Sequence, residues 1–462
     1  MEKNAFIFNT NKCVSCMACV VGCSIENGTE EPINWREVNG HNHIKHPELP
    51  VFHFSVACNH CDDAPCMKHC PTLAYTRDKK TGAIIHHAEA CVGCTYCTWA
   101  CPYDAPKFNE TTKIVEKCNF CVDRISDGIK PACSEACPTG ALEFGFQEEV
   151  DLKNHITPGF VNIGIKPSIQ LIPLRKEHTK PTIINNDAAE ISADALERYA
   201  LKSVSKIQLK KEWPLILFTL AVTGLVAWLA SGFTHNVFVS PLAFIIISIL
   251  AIVFTSIHVG KKLRMWRFIL NVKGSWLSRE IVGFSAFVLF GLLNLMIKQN
   301  LFGITSIIPA ETVTIFGYST IFFGAFTLVS IDMVYSLLVR NDNLKLHSAM
   351  VCLTGILLFG WVSEVKILIY LATLAKSILY IWRKTILFNQ NTNYQPFISF
   401  IRVFCLIIPL IGLLFLSEIS IWLFIGIVFL GEIIDRCEFY YESDVQNPKK
   451  AISDLFQKSI KI

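Results

Sequence analysis

Sixteen of the 19 cysteines lie between Cys13 and Cys137, in four groups of four. The groups are Cys13, Cys16, Cys19 and Cys23; Cys58, Cys61, Cys66 and Cys70; Cys91, Cys94, Cys97 and Cys101; and Cys118, Cys121, Cys133 and Cys137. Thiols at this density point to metal ligation or to disulfides. The first and third groups leave two, two and three residues between successive cysteines. That spacing lets three thiolates wrap one 4Fe-4S cubane while the fourth reaches a second cluster, so such groups work in pairs. Structural zinc also uses Cys-x-x-Cys pairs. However, Pro71, Pro102 and Pro138 directly follow the last cysteine of three groups, as in cluster-binding runs. Four clusters use all sixteen thiols, and no ligand position carries another residue type, so no 3Fe cluster is expected. Residues Met1 to Thr10 hold neither an apolar leader core nor a twin arginine. A disulfide framework in an exported domain is therefore not expected, and the thiol-rich part is expected to stay inside the cell.

The elements that must carry these thiols are short. Gly82–His86 and Ala141–Gly145 read as small strands closed by turns. With every cluster satisfied by sulfur, His41, His43, His46, His86 and His87 are expected on the surface or in loops. Residues 1–146 resemble the iron–sulfur subunit of the dimethyl sulfoxide reductase family, from residue 4 to about residue 146. The likeness is carried by Cys58-Asn59-His60-Cys61 with Pro65-Cys66, and by Cys91-Val92-Gly93-Cys94 with Tyr96-Cys97 and Ala100-Cys101-Pro102-Tyr103. Lys117-Cys118 with Cys121, Asp123-Arg124, Gly128, Pro131 and Cys133 extend it. Local symmetry and the resemblance to multi-cluster ferredoxins imply that the second and third groups pair, and the first with the fourth. The implied sets are Cys58, Cys61, Cys66 and Cys101; Cys91, Cys94, Cys97 and Cys70; Cys13, Cys16, Cys19 and Cys137; and Cys118, Cys121, Cys133 and Cys23. The fold implied is an α+β double-ferredoxin-type head.

Residues 147–211 shift to Pro, Lys, Asn and Ile and read as a linker. Residues 159–166 and 168–172 suggest short extended pieces. Residues 193–209 have helical periodicity and end in Lys210 and Lys211, suited to a membrane surface.

Beyond Trp213 the composition changes character. Apolar runs at about 214–233, 239–257, 281–299, 313–339, 347–363, 367–382, 397–416 and 419–437 give an all-α polytopic bundle of eight spans in 212–440, followed by a tail at 441–462. Only Glu364-Val365-Lys366 separates the fifth run from the sixth, so seven spans is the alternative. Trp213, Trp276, Trp361, Trp382 and Tyr440 are expected as interfacial anchors. With eight spans, 19 Lys and Arg share the side of the linker and the C-terminus, against Lys298 and Lys366 opposite. The positive-inside rule then places the head in the cytoplasm, at a bacterial inner membrane. A total of 42 basic and 38 acidic residues is too balanced for a nucleic-acid binder.

Only His235, His258 and His347 occur in this half, all near span ends, so no haem is expected. Ionisable residues inside a bilayer default to function. His258, Glu280, Asp332, Arg402, Glu432 and Arg436 all fall toward the head-facing ends of their spans, which suggests one site there. Lys376 lies deeper, and either lines a cavity or snorkels. The half resembles the membrane anchor of the same reductase family, from Glu212 to about Tyr440. Glu212-Trp213-Pro214, His258-Val259-Gly260 with Arg264, Ser278-Arg279-Glu280-Ile281 and Gly431-Glu432-Ile433-Ile434-Asp435-Arg436 carry that likeness, while the middle spans depart from it.

The resemblance implies oxidation of quinol, a menaquinol, from the quinone pool. Its electrons would pass through four 4Fe-4S clusters to a separate molybdopterin-containing catalytic subunit. His258 and Glu280 are the expected proton acceptors, and Arg264, Arg402 and Glu432 complete the expected quinol pocket. Two other readings use the same parts: reverse flow from a dehydrogenase to quinone, and a redox-driven ion translocator. The latter would want polar residues through the full membrane depth. If all four groups hold cubanes, anaerobically purified protein will contain about sixteen irons and as many sulfides per chain. Iron near half that value, or dominant zinc, would show the four-cluster reading to be wrong.

Overall fold

A computed structural model describes residues 3–41, 51–146, 160, 163–175, 207–300, 310–338, 346–389, 395–415, 421–443, 445, 447–449 and 451–452. The polypeptide forms two compact units, Met1–Lys206 with Val445–Ile462, and Ile207–Asp444. His43, His46, residues 193–206 of the expected linker helix and residues 159, 161 and 162 of the 159–166 piece lie outside the described residues.

The first unit is α+β. Strand β1 (Asn4–Asn9) alternates so that Phe6 and Phe8 point into one core. It lies between β8 (Leu142–Phe146), antiparallel to it, and β9 (Ile169–Ile172), parallel to it. Three hairpins stand apart: β2 (Glu37–His41) with β3 (Phe52–Val56), β4 (Tyr75–Arg77) with β5 (Ile84–His86), and β6 (Lys107–Asn109) with β7 (Ile114–Glu116). The expected strands around Gly82–His86, Ala141–Gly145 and 168–172 are present as β5, β8 and β9. Phe6 meets Phe120 edge-on at 5.1 Å, and Phe8 meets Phe54 at 5.6 Å. Each such buried ring contributes roughly 1.5–3 kcal/mol. Ile452, from the C-terminal segment, joins the same core, and Lys449 pairs with Glu37 at 2.9 Å. His41 is a correction: it is fully buried and stacked on Phe52 at 4.6 Å, a core ring of the β2–β3 hairpin and not a surface residue.

Five short helices carry cysteines or lie between them: α1 (Ala18–Asn27), α2 (Pro65–Lys68), α3 (Tyr96–Ala100), α4 (Val122–Ser126) and α5 (Ala132–Glu135). Helix α1 packs on α5, and α2 on α3. Gly22 makes the first contact possible, because a Cβ there would stand 2.8 Å from Ala136 Cβ.

The second unit is helical: α6 (Leu209–Thr234), α7 (Pro241–Ile257), α8 (Trp276–Lys298), α9 (Ala310–Tyr335), α10 (Val351–Val362), α11 (Lys366–Asn389), α12 (Pro396–Phe415) and α13 (Ile421–Glu442). Among the described residues, α6, α8, α9 and α12 are each long and apolar enough to cross a membrane. Helix α7 joins them as a fifth if counted with the 3-10 helix Lys262–Ile269, which is turned from it by 106°. The three remaining expected spans fall short for physical reasons. Helix α10 has 12 residues, about 18 Å of helix against a hydrocarbon core of about 30 Å. Helices α11 and α13 are long enough but carry a row of buried charges. Helix α7 leaves Leu242, Ile246, Ile249, Ile252 and Val253 exposed, an apolar face suited to lipid. Two expected interfacial anchors are instead interior: Trp361 packs at 6.1 Å from Phe424, and the Tyr440 hydroxyl pairs with that of Tyr335.

Helices α12 and α13 touch through Gly431, where a Cβ would stand 2.6 Å from Arg402 Nη1 and 2.8 Å from Cys405 Cβ. Gly431→Ala should therefore destabilise the detergent-solubilised protein by about 1–3 kcal/mol. Gly426→Ala, where nothing lies within 4 Å, should leave its thermal midpoint unchanged or slightly raised. Equal midpoints for the two variants would refute this account of the contact.

Candidate functional site

The cysteine loops share a backbone device. Two residues after the first cysteine of each group, the backbone turns left-handed: Ser15 at φ 58°, His60 at 42°, Gly93 at 71° and Phe120 at 69°. Three of the four are not glycine and carry strain of order 1–3 kcal/mol each, which persists only where the surroundings over-determine it. The turn brings backbone N–H groups onto sulfur: Gly93 N donates to Cys91 Sγ at 3.4 Å and Phe120 N to Cys118 Sγ at 3.3 Å. Ala74 N and Leu142 N do the same for Cys70 and Cys137, both at 3.4 Å.

Tertiary packing then brings thiols of different groups together. Cys61 is coupled electrostatically to Cys58, Cys101 and Cys66. Cys97 lies near Cys94, Cys91 and Cys70, Cys13 near Cys19, Cys137 and Cys16, and Cys23 near Cys133, Cys121 and Cys19. Thiols of different groups thus come together, through the α1–α5 and α2–α3 contacts, as the expected sets require. The sets also form a series. Tyr75 stands between Cys97 and Cys66, Cys118 feels Cys58, and Cys19 feels Cys133.

Cys58, Cys61, Cys66 and Cys101 line one cavity, together with Pro65, Pro102, Tyr103 and Lys117. Burial raises the thiols of Cys61 and Cys66, and that of Cys23 in another set is pushed up to about 12. They are neutral until a metal displaces their protons. A tetrahedral zinc with sulfur at about 2.3 Å would draw four thiols to within about 3.8 Å of one another. Among the described residues, no three His, Cys, Asp or Glu side chains are placed to hold a single ion. A buried cavity whose metal-binding side chains include four thiols fits a thiolate-held group.

Sequence reasoning passed over three residues of this unit. His60 is buried, stacked on Phe120 at 4.2 Å, and its Nδ1 accepts from Ile84 N at 2.9 Å. Burial, then the charges of Lys117, Arg77 and Arg36, hold its pKa well below the usual histidine value, so the ring is neutral. Lys117 and Arg36 are both 2% exposed. A basic residue inside a cysteine-rich stretch is the signal that would have flagged them.

In the helical unit, Ser275 caps α8 by accepting from Ser278 N at 3.4 Å and sets Glu280 one turn in. Glu280 is 7% exposed, and among the described residues it makes no hydrogen bond. The charge acting on it is Arg436. The Arg436 guanidinium lies 4.7 Å from the Tyr335 ring centre and donates to Ala349 O at 2.5 Å. Glu212 acts on Tyr335 and Tyr440 from α6. His258 ends α7 half-buried, with Nδ1 lacking a hydrogen bond, and Arg264 lies half-buried in the 3-10 helix that follows. Among the described residues, no hydrogen bond or ion pair joins His258 to Glu280.

Arg402 and Glu432 belong to a different constellation. Arg402 Nη2 holds Glu432 at 2.7 Å and Asp435 at 3.2 Å, and Lys376 holds Glu432 at 2.9 Å. Arg383 pairs with Asp435 at 3.0 Å and Glu442 at 3.2 Å. Lys384 pairs with Glu438 at 2.7 Å and also with Glu442. Four cations from α11 and α12 thereby face Glu432, Asp435, Glu438 and Glu442 on one stripe of α13. Lys376 neither snorkels nor lines an open cavity: it is fully buried and ion-paired. The acidic spacing of three, three and four along α13 was the legible signal for this ladder.

Comparison with known proteins places the first unit. The family described as a 4Fe-4S dicluster domain matches residues 49–147. The B component of anaerobic dimethyl sulfoxide reductase from Escherichia coli (strain K12) is 32% identical over 190 residues, 39% of this chain and 86% of that protein. Thiosulfate reductase electron transfer subunit PhsB of Salmonella typhi is 37% identical over 157 residues, 32% of this chain and 79% of that protein. The B component of tetrathionate reductase from Salmonella typhimurium is 38% identical over 151 residues, 31% of this chain and 58% of that protein. A likeness of this extent falls on the part that gathers sixteen thiols, and it establishes that the chain, through its N-terminal part, belongs to the iron–sulfur electron-transfer subunits of the dimethyl sulfoxide reductase family.

Proposed function

We propose that the chain is a fused electron-transfer and anchor module that oxidises quinol in its helical unit. The electrons then pass through four 4Fe-4S clusters to a molybdopterin-containing catalytic subunit. The clusters would be held by the four sets given above, with residues 1–146 as head, 147–211 as linker, 212–440 as anchor and 441–462 as tail. When bound, each cluster accepts and passes on one electron at a time. The names of the relatives, parts of reductases for dimethyl sulfoxide, thiosulfate and tetrathionate, support a catalytic partner without choosing its substrate.

The observation that carries the quinol reading is Glu280. A buried carboxyl group that makes no hydrogen bond among the described residues, with Arg436 as the charge acting on it, suits a group that exchanges protons. Oxidation of a quinol to a quinone releases two electrons and two protons, and Glu280 and His258 are the proposed acceptors. Arg264 would orient the quinol oxygens. Arg402 and Glu432, already ion-paired, would form the fixed polar wall behind. The anchor is read as one without haem; His347 stacks on Phe439 at 4.3 Å and His235 packs near Phe359. All eight helices would then serve as spans, α10 and the charged α11 and α13 being shielded by their neighbours.

A cytoplasmic head is part of the proposal. Of the nineteen cations counted on the head side, Arg383, Lys384 and Arg436 are buried inside helices, which leaves sixteen against two. The bias keeps its sign.

Two experiments test this reading. Glu280→Gln and His258→Ala should each slow cluster reduction by quinol about 100-fold or more. Dithionite should still reduce every cluster, and the iron content should not change. Wild-type rates in both variants would place the site elsewhere. Protease added to intact spheroplasts should leave the head uncut, and cleavage would put it on the opposite side.

A further inference from the structure

The head buries two cations that no carboxylate accompanies among the described residues, and it satisfies them differently. Lys117 Nζ donates to Ile84 O at 2.5 Å and Cys118 O at 2.8 Å, so carbonyl dipoles neutralise it. Arg36 has no such arrangement. Its Nη1 donates to Ser55 Oγ at 3.0 Å and its Cζ lies 4.6 Å from the centre of the Phe6 ring, while Nε and Nη2 make no hydrogen bond. A guanidinium keeps its charge at any pH a protein survives, and a buried, uncompensated charge is strongly destabilising. Something negative must therefore complete this site.

The groups around Arg36 are sulfurs: Cys133, Cys19, Cys118 and Cys23. Cys133 lies within reach of the guanidinium. Cys19 Sγ is 3.6 Å from Ser55 Oγ, the same hydroxyl that accepts from Arg36. Cys19 belongs to the set with Cys13, Cys16 and Cys137; the other three belong to the set completed by Cys121. Arg36 thus stands at the junction of two sets. It is not among the charges acting on Cys61, Cys94 or Cys97 of the other two sets.

We propose that Arg36 is the fixed counter-ion shared by the two clusters of the first and fourth cysteine groups, and that it raises the reduction potential of both. The inference rests on the ligand sets proposed above. Each electron added to a thiolate-held cluster adds one negative charge. A fixed cation in a water-poor interior stabilises the reduced state more than the oxidised one. Nearby charge and hydrogen bonds to sulfur are among the properties that set such potentials. Arg36 would be a positioning residue for electrons, with no contact to quinol or to the partner's substrate.

The test is a redox titration followed by electron paramagnetic resonance on the purified full-length protein, with iron analysis of every sample. In Arg36→Gln, two of the four midpoint potentials should fall and two should stay, with about sixteen irons retained. Arg36→Lys, which keeps the charge, should restore wild-type midpoints. Four unshifted midpoints in a fully loaded Arg36→Gln, or four equal shifts, would overturn the proposal. If Arg36→Gln loses iron, Arg36→Lys decides alone. Full iron with wild-type midpoints supports the counter-ion. Lost iron or lowered midpoints overturn it, because the charge is still present. A wild-type protein far from sixteen irons would instead overturn the four-cluster reading beneath it.

Discussion

Thiols of distant cysteine groups meet in this unit, Cys23 beside Cys133 and Cys101 beside Cys61, so under the proposed ligand sets no set forms until two distant stretches of the polypeptide have met. The first unit is organised around that meeting. Helix α1 reaches α5 only because Gly22 presents no side chain toward Ala136, and the same contact brings Cys23 to Cys133 and Cys137 to Cys13. Ten cysteines belong to the buried core of this unit, with Phe6, Phe8, Phe54 and Phe120 packed among them. Packing and metal ligation are therefore one process: the buried thiols are neutral and unrewarded until the group they surround is inserted.

The order of the sets follows from the same geometry. Contacts through Tyr75, through Cys118 with Cys58 and through Cys19 with Cys133 place the four sets in a row rather than in a knot. A row suits a protein that moves electrons one at a time, and it gives each junction its own electrostatic setting. Lys117, Tyr75 and Arg36 occupy those junctions.

The helical unit meets a related constraint by other means. Charges inside a bilayer must be paired or used. The ladder of Lys376, Arg383, Lys384 and Arg402 against Glu432, Asp435, Glu438 and Glu442 is paired almost throughout. It ties α11, α12 and α13 into one block. Glu280 is the contrast, since it is buried, makes no hydrogen bond among the described residues, and faces Arg436 and Tyr335. Pairing, more than depth in the helix, is what distinguishes the ladder carboxylates from Glu280.

The sequence by itself determined the division into two parts, the four cysteine groups and their chemistry, and the presence of long apolar helices. All of these are local: ligand spacing, a proline after a cysteine, and runs of apolar residues are written in consecutive positions. Glu280 and His258 were legible as candidates for the same reason, as rare ionisable residues in apolar surroundings. Tertiary structure alone brought thiols of distant groups together, because that depends on α1 meeting α5 and α2 meeting α3. It moved Arg383, Lys384 and Arg436 from loop charges to buried partners, and Trp361 and Tyr440 from interface to core. It also revealed Arg36, an ordinary surface residue by composition. Burial and pairing arise between segments far apart in sequence, and no window of neighbouring residues carries that information.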